Sequence, residues 1–317
     1  MPDNGMPSTS RIHPATFQAS VAGWADRHFR ILLILPAILL LAALIGYPLF
    51  YLANLSVQNI TLANIARPER QAFVGLANFA EVFSDKDFVV TVRNTGVFVV
   101  SSIVVEVVVG LTLGLLFTAR FRGRRPLMIL MLIPILMTPV VIGLFWKLLL
   151  NGEWGVLNYL LSLVGLPPQS WLIDSSLAMA SVVMVFAWGG LSFVALVVLG
   201  AVESQAIDLY EAARVDGAGY FQTLRYLTLP LLRPVLLVII LILAIDALKQ
   251  FDIIYVLTGG GPGGLTRVYS LGIYDLGFRQ SDFSAAAAQA LILVGLTMVL
   301  VAGLVRNLRS TVRGSAR

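Results

Sequence analysis

The residues of this chain with chemical potential are few, and several stand inside long apolar runs. Asp246, Lys249 and Gln250 fall within about one helical turn, so Asp246 and Gln250 share a face and Lys249 reaches Asp246 at i+3. A carboxylate beside an amide suits a hydroxyl-bearing ligand in an aqueous cavity; the same residues also suit an ion pair holding their helix to a neighbour. In Phe186-Ala-Trp188-Gly189-Gly190-Leu-Ser192-Phe193, paired glycines stand among aromatic rings. Each mid-helix glycine costs about 1 kcal/mol against alanine, which fits either tight helix packing or backbone exposed beside a ligand that stacks on the rings. Glu106 is a lone carboxylate in an apolar run, to be read as paired with another helix or as a pathway group.

Enzyme chemistry has little to work with. His13 and His28, the only histidines, lie in or beside the polar N-terminal segment, and no paired-His metal spacing or nucleophile–base set occurs. Gly259 to Gly264 is glycine-rich without a following Lys-Ser/Thr, so it reads as a turn and not as a phosphate-binding loop. Trp146 and Lys147, near the end of an apolar run, read as interface anchors.

These residues need helices in a bilayer to position them. Hydrophobic residues make up 58% of 317 positions and charged ones 12%, and mean hydropathy is +0.88, far from an average soluble domain. Cysteine is absent, which removes disulfides and thiolate metal sites. Six runs, Ile31–Ala53, Thr95–Ala119, Pro126–Leu150, Leu177–Ala201, Leu231–Tyr255 and Phe283–Val305, each approach the ~20 residues that cross ~30 Å of hydrocarbon as helix. The expected fold is an all-α polytopic membrane protein: a tail over residues 1–30, a membrane domain over 31–305 with a long loop at about 202–230, and a basic tail over 306–317. The run Ala285–Ala288 suits a close-packed helix surface.

Fourteen Lys and Arg flank one set of span ends: Arg11, Arg27, Arg30, the Arg120–Arg125 loop, Arg214, Arg225, Arg233, Arg306, Arg309, Arg313 and Arg317. Six flank the other: Arg67, Arg70, Lys86, Arg93, Arg267 and Arg279. This bias places both termini and the Glu211 loop in the cytoplasm. It also explains the net charge of +5 through topology and anionic lipid, which disposes of nucleic acid as a partner.

That loop, Tyr210 to Pro230, is the longest polar-bearing interruption in the second half. Nothing from Gln205 to Val215 breaks helix; Ala206, Tyr210 and Ala213 fall on one face; small side chains admit another surface; and Asp216-Gly217 offers a helix stop. Pro230 and Pro234 suit the start of the next spanning helix. An interfacial helix without a partner would favour Lys, Arg and large apolar residues over these acidic and small ones. The stretch Glu211-Ala212-Ala213-Arg214-Val215-Asp216-Gly217-Ala218, followed by Leu227-Thr228-Leu229-Pro230, resembles the EAA motif of integral-membrane subunits of binding-protein-dependent ABC importers. Its one departure is Leu227, where that family more often has isoleucine. Phe251 to Pro262 resembles the segment marking the carbohydrate branch, similar to the maltose and glycerol-phosphate permeases.

The resemblance implies a type I importer permease fold with six transmembrane helices, in the bacterial inner membrane. It implies that Glu211, Ala212, Ala213, Asp216, Gly217 and Ala218 form a coupling helix docking on a separate ATPase subunit. It further implies a second, similar permease subunit, two ATPase subunits that bind ATP and Mg, an extracytoplasmic solute-binding protein, and no cofactor in this chain. By the same similarity the helices flanking the loop supply a site for a sugar, sugar derivative or polyol at Phe186, Gly189, Gly190, Phe193, Asp246 and Gln250. The rival is a stand-alone ion-coupled secondary transporter, which would show inverted repeats and buried coupling carboxylates, with Glu106 and Asp246 as the available pair.

Overall fold

The structure is a computed structural model that describes residues 33–119 and 121–315, with side chains to residue 307. The N-terminal tail, with Arg11, Arg27, Arg30, His13 and His28, lies outside the described residues, as do Arg120 and Arg317 and the side chains of Arg309 and Arg313. The chain divides after Asn54 into two units. The first contains most of α1 (Leu33–Ser56), an apolar helix long enough to cross a membrane, with a π turn at Ala42–Gly46.

The second unit is built of helices, and among the described residues it contains only two isolated β-bridges, Gln58 with Phe73 and Thr61 with Asp282. After a short α2 (Ala77–Ser84), α3 runs from Lys86 to Thr118. The Asp85 carboxylate starts it by accepting from Asp87 N at 3.0 Å, satisfying an end amide that has no partner within the helix. α4 (Arg124–Leu136) and α5 (Pro139–Leu149) follow, then α6 (Val156–Leu163), α7 (Ala178–Glu203) and α8 (Ile207–Val215). α9 (Tyr220–Lys249), the short α10 (Asp252–Leu257) and α11 (Tyr269–Tyr274), and the long α12 (Phe283–Ser315) complete the unit.

Among the described residues five helices are long and apolar enough to span, and the third expected span is a broken pair: α4 and α5 meet at 111°. Proline explains the break. Pro139 starts α5, and its ring holds Thr138 extended (φ −73°, ψ 151°), so α4 cannot continue through it. The fifth span also differs from expectation. α9 begins at Tyr220, not Leu231, and carries Pro230 and Pro234 in its interior. A π turn at Leu224–Thr228 precedes them, a local widening of the kind that lets a helix absorb a proline. At its other end α9 stops at Lys249 because Gln250 is extended, six residues before the expected end at Tyr255.

The α3 and α7 helices run parallel in matched four-residue steps. Glu106 meets Gly190, Gly110 meets Val194 and Gly114 meets Val198. A Cβ on Gly110 would lie 2.6 Å from Val194 Cβ, and one on Gly114 2.8 Å from both Val198 Cβ and Ala195 O. Missing side chains are what allow these backbones to approach, the usual device of helix pairs in lipid, where burial from water supplies no driving force. Around this pair lie two cores, one of Phe98, Val182, Phe186, Leu248 and Ile254, the other of Val194, Val198, Leu232, Ile239 and Leu243. Ala285 to Ala288 on α12 are all buried.

Candidate functional site

α8 lies between α7 and α9 and outside the apolar helices. Ala206, extended, ends the approach from α7, so the helix begins at Ile207. It ends in a Schellman motif: Gly217 adopts φ +78°, its N–H donates to Arg214 O at 3.0 Å, and Ala218 N–H donates to Ala213 O at 2.9 Å. A side chain at Gly217 would be strained by that backbone. Glu211, Ala212, Asp216 and Gly217 are exposed, whereas Ala213 and Ala218 are half-buried. Ile207 and Val215 add exposed apolar surface, Val215 at 88%. Tyr210 turns inward, its hydroxyl 3.4 Å from Thr228 Oγ1 on α9, and a hollow of about 370 Å³ separates α8 from Leu115 and Thr118 of α3. The segment thus presents charged and apolar surface outward and meets α9 through Tyr210.

The intramembrane candidates fall into two groups. On α7, Phe186 is buried against Phe98 with ring centroids 5.1 Å apart, and Phe193 is half-buried against the second core. Gly189 faces Ile142 of α5, whose Cδ1 would be 3.3 Å from an added Cβ. Gly190 accommodates the Glu106 carboxyl, and Glu106 Oε2 is buried without a hydrogen-bond partner among the described residues. Ser192 Oγ donates to Met131 O of α4. On α9, Asp246 and Lys249 form an ion pair at 3.1 Å with both side chains half or more exposed. Gln250 is buried, and its Nε2 has no acceptor among the described residues. Phe186 and the last turn of α9, through Ala247 and Leu248, share one core.

Two expected interface anchors also engage protein. Trp146 packs on Trp188 (centroids 5.6 Å, rings at 74°) with its indole N–H buried, and Phe145 stacks on the same Trp188 at 6.3 Å. Lys147 Nζ donates to Val256 O at 2.7 Å, tying α5 to the last turn of α10, where carbonyls lack partners within the helix. The glycine-rich segment after α10 is a turn, with positive φ at Gly259, Gly260, Gly263 and Gly264. Sequence reasoning missed Gly110 and Gly114, although their i+4 spacing from each other and from Glu106 was visible. It also missed the cluster in which Arg267 bridges Asp87 and Asp275 at 3.2 Å each while Arg279 reaches Asp275 at 3.0 Å. Asp87 and Arg267 are 180 residues apart, and no local pattern joins them.

Apolar helices packed through glycine, sparse polar groups within them and an exposed short helix between two spans together define a multi-pass membrane protein. The chain belongs to the family of binding-protein-dependent transport system inner membrane components, which it matches over residues 106–314. It is 38% identical over 234 residues to the trehalose/maltose transport system permease protein MalF of Thermococcus litoralis, covering 74% of this chain and 77% of the relative. The fold is shared with the crystal structure of a bacterial ABC transporter involved in import of the acidic polysaccharide alginate. There the TM-score is 0.77 at 22% identity, over 92% of this chain and 99% of the other. A second structure of that transporter, in complex with an alginate pentasaccharide-bound periplasmic protein, matches with TM-score 0.75 at 22% identity, over 89% and 94% of the two chains. The chain is thus a membrane permease subunit of the ABC importer class.

Proposed function

We propose that this subunit translocates a sugar or sugar derivative across the bacterial inner membrane and is driven through α8 by a separate ATPase subunit. The observation that carries the reading is α8 itself: an exposed Glu211 and Ala212 face, ended at Gly217, with each end joined by a short linker to a spanning helix. A push on such an element moves α7 and α9 together. ATP and Mg belong to two ATPase partners, and this chain carries no cofactor. A second, similar permease subunit and an extracytoplasmic solute-binding protein complete the assembly, and the alginate complex supports the last of these. The Lys and Arg bias puts residues 1–30, the 202–230 loop and residues 306–317 in the cytoplasm, with the membrane domain over 31–305.

The sugar class is supported by the trehalose/maltose relative and by the chemistry of Asp246 and Gln250; of the expected positions on α7, Phe186, Gly189 and Gly190 are packed against Phe98, Ile142 and Glu106, and Phe193 is the half-buried one. In the assembled importer, Glu211→Lys should separate ATP hydrolysis from uptake while the subunit stays in the membrane; uptake at the original rate would reject the coupling role. Uptake driven by an ion gradient in liposomes holding this subunit alone would reject the whole reading. Binding of a panel of sugars to the cognate solute-binding protein identifies the cargo.

A further inference from the structure

The turn between α3 and α4 forms a hollow of about 750 Å³ whose lining includes Phe121, Arg122, Gly123, Arg124, Arg125 and Met128 and, among the described residues, no carboxylate. Gly123, at φ +93°, makes the reversal, and Phe121 is fixed by stacking on Phe117 at 6.3 Å. The three arginines are not equivalent. Arg124 is held at 2.8 Å by Glu203 at the end of α7, and its Nε is shielded from water without an acceptor. Arg122 and Arg125 are exposed, and among the described residues no carboxylate bridges either. Two unneutralised guanidiniums at one hollow, beside a third already anchored, suit the oxygens of a phosphate, which a guanidinium binds through paired hydrogen bonds.

The same short helix says which phosphate. Leu127, Ile129 and Leu130 on α4 are 47%, 66% and 59% exposed, immediately after the arginines and inside one of the apolar segments. A free phosphate has no use for that surface, whereas a phospholipid has an acyl chain to lay along it. We propose that this hollow binds an anionic phospholipid, its headgroup phosphate on Arg122 and Arg125 and its chains against Leu127, Ile129 and Leu130. A topological signal depends on the count of basic residues near a span; a site depends on which ones.

The test is native mass spectrometry of the assembled importer in detergent, titrated with phosphatidylglycerol or phosphatidylcholine. Three proteins are compared: the unaltered importer, Arg122→Gln/Arg125→Gln, and Arg67→Gln/Arg70→Gln, which removes the same charge from another exposed segment. The expected result is saturable phosphatidylglycerol binding that weakens about thirtyfold in the first variant, the loss of two basic contacts to an anionic surface, and is unchanged in the second. Equal weakening in both variants would mean diffuse charge attraction and overturn the site. Equal retention of phosphatidylcholine would overturn the need for an anion. Displacement of the lipid by equimolar inorganic phosphate or glycerol phosphate would overturn the lipid in favour of a soluble anion. Both arginines are exposed, so their loss leaves the core packing intact.

Discussion

Glu106 on α3 fills the space that a side chain on Gly190 of α7 would need: a Cβ there would lie 2.0 Å from Glu106 Oε1 and 2.8 Å from its Cδ. The notch at Gly190 and the position of the Glu106 carboxyl are thus one contact. Gly190→Ala should cost about 1–3 kcal/mol, as overpacking does in a close-packed interior. Adding Glu106→Ala removes the clashing carboxyl and should restore more than half of the loss. Thermal unfolding of both single variants and the double variant measures the coupling, expected at about 0.5–3 kcal/mol for residues in contact. Strictly additive midpoints would mean that the notch is not what places Glu106.

One turn further along, the glycines of α3 supply their own control. Gly110→Ala and Gly114→Ala drive a methyl into Val194 or into Val198 and Ala195 O, whereas a Cβ at Gly96, on the same helix, meets nothing within 4 Å. The first two should destabilise by about 1–3 kcal/mol. Gly96→Ala should be neutral or stabilise by up to about 1 kcal/mol through helix propensity. Equal effects at all three positions would show propensity, and not the α3–α7 contact, in control.

The difference between what could and could not be read from the chain follows from range. The apolar runs are local, and five of them became helices long enough to span; the helix stop at Gly217 needed only its own left-handed backbone. The 111° break between α4 and α5 was hidden because the segment stays apolar through it, so hydropathy alone passes over Thr138-Pro139. The backward reach of α9 to Tyr220 was hidden by the opposite cause, a polar stretch that is helical all the same. For the candidate site, the i,i+3 pair Asp246–Lys249 was a matter of spacing. The partner of Glu106 was not, because Gly190 is on another helix and glycine leaves no side chain to suggest a contact.

Asn158 makes a further case in which one residue holds a long loop. It is buried, donates to Gly152 O at 2.8 Å and Gln169 O at 3.0 Å, and accepts from Gln169 N at 3.0 Å and Trp171 Nε1 at 2.9 Å. Asn158→Ala strands four partners, and should cost about 2–4 kcal/mol when each buried orphan costs about 1–3 and some regain water. Asn158→Asp keeps both acceptor bonds and loses both donors, so it should also destabilise. Limited proteolysis between residues 151 and 171 reads both variants, and an unchanged cleavage rate would remove Asn158 from this role.

Magnitudes also decide between the two readings of Asp246. Its ion pair with Lys249 is 3.1 Å long, with side chains 51% and 69% exposed, and pairs that exposed contribute about 0–1 kcal/mol. A purely structural pair therefore predicts small and equal effects from Asp246→Asn and Lys249→Met, because each breaks the same bridge. A pathway role for Asp246 predicts otherwise, because a hydroxyl bonded to its half-exposed carboxylate is a charge-assisted contact in which Lys249 has no share. Asp246→Asn should leave the thermal midpoint nearly unchanged yet lower uptake about tenfold or more, the effect of losing one charge-assisted hydrogen bond. Lys249→Met should lower uptake far less, and Gln250→Leu should resemble Asp246→Asn. Initial uptake rates over a range of substrate concentrations make the comparison; matching losses from Asp246→Asn and Lys249→Met would return the pair to a structural role.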